Sequence, residues 1–230
     1  MSAEGELWAL VPLKSLGAAK GRLAPLLSGA ERAALTRAMA ADVLAALQAA
    51  PCVTRVAVVT ADPAAAGLAA ETGADVLPDA VGELVGALTA AVATLRDAGC
   101  RHLCIVPGDV PRLRGADLDR LWRIHGRGRS SGRVTLVPDD GGRGTNALLL
   151  SPPDAIPLRY GPDSAPAHVA GALAAGLAVT SLAVPSLALD VDTPQDLLAL
   201  QAAGDAPASV AFLESSGIAS RLRGATGRGA

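Results

Sequence analysis

An aspartate bracketed by prolines is the first feature of this sequence that could do chemistry. Asp109 follows an apolar run and lies in the segment Pro107-Gly108-Asp109-Val110-Pro111. The prolines restrict the backbone on both sides, and Gly108 would let a ligand come close. A carboxylate held in this way suits Mg²⁺, which usually takes one or two protein carboxylates together with substrate phosphates. An aspartate that only caps a turn or a helix would have the same spacing.

A second acidic element lies further along the chain, where Asp190 and Asp192 precede Thr193 and Pro194. Thr193 and Pro194 are typical of the N-cap and first position of a helix, so one aspartate could simply belong to that cap. Together with Asp109, the two aspartates could instead hold a cation against the phosphates of a nucleotide. The predicted metal ligands are therefore Asp109, Asp192 and Asp190.

The positive side of such a site would come from Lys14, Lys20 and Arg22. Of the 20 lysine and arginine residues, only Lys14 and Lys20 are lysines, and both lie in one short N-terminal segment. A compact ammonium group suits a phosphate, although chance would also place two lysines close together. The segment has neither the Gly-Lys-Ser/Thr of a P-loop nor a Gly-x-Gly-x-x-Gly, which disfavours both site types.

A glycine-rich loop at residues 141–146 offers backbone N–H groups to an anion, and Thr145 adds a hydroxyl. Gly161 and Ser164 precede a predicted helix, whose N-terminus is a natural phosphate site. A plain hairpin turn would explain the loop equally well.

Two histidines and three cysteines are expected to take no part in catalysis. His125 and His168 have no serine or cysteine in a triad-like setting, so we expect them to be surface or structural residues. Cys52, Cys100 and Cys104 lie in apolar runs and lack further metal ligands, which predicts buried free thiols and a reducing compartment.

Strands and helices alternate along the chain and would bring these residues together. The predicted strands are Leu7–Val11, Arg55–Thr60, Asp75–Leu77, His102–Val106, Val134–Val137, Ala147–Leu150 and one near Val179–Val184. Continuous apolar strands separated by helices predict an α/β fold with a mainly parallel sheet and helices on both faces. Ligands of such sheets gather at the carboxyl edge of the strands, which the candidate residues follow. We expect one domain over residues 1–203 and a partly disordered tail over 204–230.

Composition excludes several other functions. The 230 residues include 2% aromatics and carry a formal net charge of −2, which argues against a nucleic-acid partner. The sequence contains no run of ~18 consecutive apolar residues, which argues against a membrane span. Its first residues do not have the pattern of a signal peptide. A cytoplasmic location is therefore expected.

The sequence resembles the phosphoenolpyruvate / 2-phospho-L-lactate guanylyltransferases of coenzyme F-420 biosynthesis. The matching segments follow the family's order over roughly residues 7 to 202. They are Val11-Pro12-Leu13-Lys14, Ala19-Lys20-Gly21-Arg22-Leu23, Pro107-Gly108-Asp109-Val110-Pro111, Gly144-Thr145-Asn146-Ala147-Leu148, Tyr160-Gly161-Pro162-Asp163-Ser164 and Leu189-Asp190-Val191-Asp192-Thr193-Pro194. The Gly-Thr-Asn and Gly-Pro-x-Ser segments are more particular to this family than the others.

The resemblance implies a Rossmann-like, glycosyltransferase-A-like nucleotidyltransferase that uses Mg²⁺ and transfers GMP from GTP to phosphoenolpyruvate or 2-phospho-L-lactate, releasing diphosphate. Its implied partners are GTP and a small phosphorylated carboxylic acid, and a homodimer remains open. The resemblance also implies a role for each site residue. The catalytic residues would be Lys20 and Asp109, and the acid would bind to Thr145, Gly161 and Ser164. GTP would bind to Lys14, Lys20 and Arg22, and the metal to Asp109 with Asp192 or Asp190.

This chain departs from the family at two places, and other functions stay open. Val85 stands where relatives have an asparagine that helps to hold the nucleotide, and Ala165-Pro166 replaces an aromatic position near the acid pocket. The alternatives are a nucleotidyltransferase for 3-phosphoglycerate, a molybdopterin or a sugar phosphate, and a non-catalytic homologue that only binds nucleotide.

Overall fold

A seven-stranded sheet forms the centre of the protein in a computed structural model, which describes residues 6–17, 20–127 and 132–226. The strands are β1 Leu7–Pro12, β2 Val53–Thr60, β3 Asp75–Pro78, β4 His102–Ile105, β5 Arg133–Pro138, β6 Thr145–Ser151 and β7 Ala178–Ser181. The helices are α1 Gly29–Gln48, α2 Pro63–Glu71, α3 Leu84–Asp97, α4 Gly115–His125, α5 Ser164–Ala174, α6 Pro194–Ala203, α7 Pro207–Ser215 and α8 Ile218–Thr226. Each predicted strand is present, with its ends shifted by a few residues at most.

The strand order is β3-β2-β1-β4-β6-β5-β7, and the sheet is mainly parallel as predicted. β1 pairs in parallel with both β2 and β4, whereas β6 pairs antiparallel to β4 and to β5. The reversed strand β6 therefore brings its first residue, Thr145, to the edge of the sheet at which β4 ends.

Helices cover both faces of the sheet, because neighbouring residues of each buried strand point to opposite sides. Ala9 and Val11 of β1 pack under α1, α2 and α4, whereas Leu10 packs with α3 and α5 on the other face. These two cores are built almost entirely from Ala, Leu, Val and Ile. Within the described part of the chain, no helix is both long and apolar enough to span a membrane.

The N-terminus of α1 has a capping box. The Ser28 side chain accepts a hydrogen bond from the Glu31 backbone N–H, and the Glu31 carboxylate accepts one from the Ser28 N–H. Such reciprocal bonds satisfy two of the donors that a helix start leaves free. They therefore fix the residue at which α1 begins, after the segment that contains Lys14 and Lys20.

The prediction of a partly disordered tail over residues 204–230 is wrong for residues 207–226, which form α7 and α8. The two helices pack with α6 on the outer side of α1, where Leu35 and Met39 join a third apolar cluster. Asp42, which is 6% exposed, accepts hydrogen bonds from the backbone N–H of Ala208 and from both the N–H and the hydroxyl of Ser209. Residues 227–230, the remainder of the expected tail, lie outside the described residues.

Candidate functional site

A cavity of about 250 Å³ lies at the carboxyl ends of β1 and β4, and four of the predicted residues line it. Lys14 and Lys20 come from the segment after β1, Asp109 from the turn after β4, and Asp192 from the segment before α6. A larger cavity of about 690 Å³ adjoins it and shares Lys14 and Ser15 as lining residues. The predicted meeting of these segments at one edge of the sheet is confirmed.

The ammonium group of Lys20 joins the two acidic elements. Its Nζ is 2.6 Å from Oδ2 of Asp109 and 2.8 Å from Oδ1 of Asp192, and the Lys20 side chain is only 6% exposed. Burial alone would lower the pKa of Lys20, but the charges and hydrogen bonds of Asp109 and Asp192 outweigh it and raise that pKa. Lys20 is therefore fully charged at neutral pH.

The backbone also holds the two acidic elements together. The Val191 N–H donates to the carbonyl of Asp109 at 3.0 Å, which places Asp192 beside Asp109. The helix cap of α6 is made by Thr193 and Asp196, whose side chains bond each other's backbone N–H groups. Asp192 is therefore not needed as the cap, and its carboxylate is available for the cavity.

Asp190 stands behind this pair and is half-buried. Burial raises the pKa of the Asp190 carboxyl, and the negative charges of Asp109 and Asp192 raise it further, while a hydrogen bond from Asn146 acts in the opposite direction. The Asn146 amide also donates to the Leu187 carbonyl at 2.8 Å. Asp190 thus brings a third carboxyl close to the site, and burial and its two acidic neighbours disfavour its ionised form.

The arrangement fits a divalent cation that is shared with a substrate. Within the described ranges, no three acidic, histidine or cysteine side chains are grouped closely enough to hold a metal ion by themselves. Asp109 and Asp192, however, already converge on one cation, the Lys20 ammonium, and their hard oxygen atoms are the ligands that Mg²⁺ prefers. Two carboxylates with the remaining positions filled by phosphate oxygens and water is a normal coordination for Mg²⁺.

Arg22 and Lys14 lie at the rim of the cavity. Arg22 is 76% exposed and its guanidinium is 3.9 Å from Oδ2 of Asp192, at the limit of an ion pair. Lys14 is exposed and lines both cavities. Both side chains are free to move toward a ligand, in contrast to Lys20, whose backbone is fixed in the left-handed region at φ 61°.

Thr145 and Ser164, two of the three predicted acid-binding residues, meet in a second, buried cluster. The glycine-rich loop is a hairpin between β5 and β6, and the Arg143 carbonyl accepts a hydrogen bond from Ala165 at the start of α5. This contact places the Thr145 hydroxyl 3.1 Å from the Ser164 hydroxyl. Gly161 has a φ of 134°, which only glycine adopts readily, and its carbonyl accepts from the Ser164 N–H.

Two residues to which the sequence analysis gave no role in the site, His168 and Tyr160, connect this cluster to the first cavity. Of the two positions expected for His168, surface or structural, the structure shows the second: His168 is 0% exposed and its Nδ1 is 3.1 Å from the Thr145 hydroxyl. Tyr160 lines the cavity and its ring lies edge-on to that of His168 at 5.1 Å. The spacing of His168, four residues after Ser164 and hence on the same helical face, could have revealed its role, as could the single tyrosine of the chain next to Gly161.

His125 and the cysteines lie elsewhere. His125 is buried and contacts the hydroxyls of Thr135 and Ser151. The three cysteines are free as predicted, with Cys100 and Cys104 buried and Cys52 half-buried.

Solved structures share this fold at low sequence identity. A structure described as a nucleotide-diphospho-sugar transferase from Desulfovibrio desulfuricans superimposes with a TM-score of 0.75, covers 97% of this chain and 98% of its own, and is 18% identical. At that identity the likeness concerns the fold alone, and it agrees with the expected nucleotidyltransferase-like architecture.

Sequence relatives are much more similar. The phosphoenolpyruvate guanylyltransferase of Conexibacter woesei is 46% identical over 84% of this chain and 86% of its own length. That of Chloroflexus aggregans is 39% identical over 81% of this chain and 93% of its own. The family model described as "Guanylyl transferase CofC like" matches residues 7–228, so the chain belongs to the CofC-like guanylyl transferase family.

Proposed function

We propose that this protein transfers GMP from GTP to phosphoenolpyruvate and releases diphosphate, a step of coenzyme F-420 biosynthesis. The observation that carries the proposal is the convergence of Lys20, Asp109 and Asp192 in one cavity at the carboxyl edge of the sheet. The names of the relatives from Conexibacter woesei and Chloroflexus aggregans support the choice of GTP-derived guanylyl group and acid.

In the proposed reaction, a phosphate oxygen of the acid forms a bond to the α-phosphorus of GTP. The bond from that phosphorus to the bridging oxygen breaks, and diphosphate leaves with its electron pair. Lys14, Lys20 and Arg22 bind the triphosphate and offset its charge, which is the main task in phosphoryl-type transfer. No covalent bond to the protein is required.

The acidic residues of the cavity would hold Mg²⁺ with the nucleotide. Asp109 and Asp192 are the proposed ligands, with Asp190 as a nearby carboxyl group. When bound, Mg²⁺ would offset the negative charge that develops on the phosphates. The Lys20 ammonium, which the two carboxylates share in the free protein, is then available to the triphosphate.

The acid is proposed to bind at Thr145, Gly161 and Ser164. Ser164 is the first residue of α5, whose N-terminal N–H groups favour an anion. Because α5 and the loop before β6 are joined through Arg143 and Ala165, this site has a fixed geometry before the acid arrives. The free thiols fit a cytoplasmic location, which is part of the same proposal.

Diphosphate release from GTP and Mg²⁺ tests the reaction, with phosphoenolpyruvate, 2-phospho-L-lactate and 3-phosphoglycerate supplied one at a time. We expect release with phosphoenolpyruvate, and a loss of at least ~100-fold in Asp109→Asn because a charge-stabilising ligand is removed. Asp154→Asn is the matched control, since Asp154 is an exposed carboxylate that pairs with Arg96. No release with phosphoenolpyruvate, from folded protein that binds GTP, would refute the proposed reaction.

A further inference from the structure

His168 is held on both sides by hydrogen bonds that fix which ring nitrogen carries the proton. Its Nε2 is 3.0 Å from the backbone nitrogen of Arg159, and a backbone N–H can only donate. Nε2 of His168 must therefore be the acceptor and carry no proton. In the neutral ring the proton then sits on Nδ1, from which it points to the Thr145 hydroxyl oxygen.

With this tautomer, one hydroxyl proton of the cluster has no acceptor among the residues that the structure describes. The cluster contains three donors, namely Nδ1–H of His168 and the hydroxyls of Thr145 and Ser164, but only two contacts join the three groups. Nδ1–H uses one contact and one hydroxyl uses the other. The remaining O–H is buried, because Thr145 and Ser164 are 4% and 2% exposed, and a buried donor is unfavourable without an acceptor.

The opposite tautomer would remove this donor. If Nε2 of His168 carried the proton, the Thr145 hydroxyl would donate to Nδ1 and the Ser164 hydroxyl would donate to Thr145. Both hydroxyl protons would then be used within the cluster, and only lone pairs would remain, which repel an anion. The Arg159 N–H thus decides whether the Thr145–Ser164 pair offers a proton or an electron pair.

We propose that His168 is a positioning residue that turns the Thr145–Ser164 hydroxyl pair into a hydrogen-bond donor for the oxyanion of the acceptor acid. The inference rests on the proposed function, since it assigns the acid to this pair. The acid supplies the acceptor that the unused O–H lacks. Tyr160, whose ring contacts the ring of His168, also lines the cavity that holds Lys20 and Asp109, and so connects the cluster to that cavity.

The ring of His168 is neutral at the pH at which the enzyme would work, as this argument requires. Burial and the nearby charge of Arg159 lower the pKa of His168 to about 4. Doubly protonated His168 would also lose its acceptor for the Arg159 N–H, so the bond at 3.0 Å agrees with the neutral form.

Two substitutions of His168 separate its two hydrogen bonds. In His168→Asn the amide N–H can take the place of Nδ1–H and donate to Thr145. In His168→Gln the longer side chain reaches the position of Nε2, where its oxygen can accept from Arg159 but no donor faces Thr145. The matched control is His125→Gln, a buried histidine whose partners are Thr135 and Ser151.

The measurements are calorimetric binding of phosphoenolpyruvate and steady-state diphosphate release, with KM determined separately for the acid and for GTP. We expect His168→Gln to weaken acid binding and raise the acid KM about tenfold, the loss of one hydrogen bond, with the GTP KM unchanged. His168→Asn should recover most of this loss. In a Thr145→Val background, His168→Gln should raise the acid KM by less than about twofold, because its effect depends on the Thr145 hydroxyl.

Three results would overturn the inference: equal acid affinities in His168→Gln, His168→Asn and His125→Gln, a parallel rise of the GTP KM, or additive losses with Thr145→Val. Failure of the proposed function is a separate result, because it appears in the wild type as no turnover with phosphoenolpyruvate. Wild-type protein that binds none of the three acids would overturn both.

Discussion

Replacing Lys20 by methionine tests whether its ammonium holds the two acidic elements together. The substitution keeps the length of the side chain and removes two charge-assisted hydrogen bonds, to Asp109 at 2.6 Å and to Asp192 at 2.8 Å. Hydrogen bonds to charged groups contribute about 1.5–3 kcal/mol each. The acceptor side chains are 31% and 40% exposed, so solvent screening places each bond at the lower end.

The free energy of unfolding should therefore fall by about 3 kcal/mol in Lys20→Met. For a chain of this size, that loss lowers Tm by roughly 6–12 °C. Millimolar Mg²⁺ should restore more of the Tm in Lys20→Met than it adds to the wild type, because no ammonium competes with it for Asp109 and Asp192. The assay is thermal unfolding followed by circular dichroism, with and without Mg²⁺.

The control is Lys14→Met, because Lys14 is exposed and its loss should change stability by less than ~0.5 kcal/mol. Equal Tm values for Lys20→Met and Lys14→Met would show that the two ion pairs contribute nothing to stability. An equal response of Lys20→Met and wild type to Mg²⁺ would show that the ion does not use the carboxylates that Lys20 joins.

Three other substitutions test separate parts of the molecule. Asp42→Ala removes the acceptor for Ser209 and should cost about 3–5 kcal/mol in urea unfolding, whereas a change below ~1 kcal/mol would mean that α7 is not anchored there. Burial lowers the pKa of His125 from 6.5 to about 3, so the unfolded chain takes up this proton first and stability is lost as the pH falls from 6.5 toward 3. His125→Gln should make this loss shallower by about 1.4 kcal/mol per pH unit, and an unchanged slope between pH 6.5 and 4.5 would contradict it. Gly108→Ala places a Cβ against Cδ2 of the buried Leu13 and should cost about 1–3 kcal/mol by thermal unfolding. An unchanged Tm would contradict this, because it would show that Leu13 gives way without cost.

The sheet and the first half of the site could be predicted because their signals are local. Apolar runs of strand length gave the strands, and the position of Asp109 after such a run placed it at the carboxyl edge. Asp192 and Lys20 follow from the same rule, since parallel strands end at a common edge. The sequence predicted Thr193 as the cap of α6, but it left open whether an aspartate of the 190–192 segment was needed there as well. The structure shows that Asp196 completes the cap, which leaves Asp192 outside it.

The C-terminal helices and the histidine cluster could not be predicted because their contacts are non-local. α7 and α8 are short and small-residue-rich, and isolated helices of nine residues are marginal in water. They are stable here because the outer side of α1 offers them Leu35 and Met39. His168 depends likewise on Thr145, 23 residues earlier on another element.

The anchoring of α7 on α1 has a consequence for synthesis of the chain. Asp42 and Ser209 are 167 residues apart, so at ~5–20 residues per second the ribosome needs roughly 8–33 s between them. During that interval the outer side of α1 is an apolar surface without its cover, and it attracts other unfolded chains or a chaperone. A message cut short after α6 would make that exposure permanent, so premature termination should yield an aggregating product rather than a smaller working enzyme.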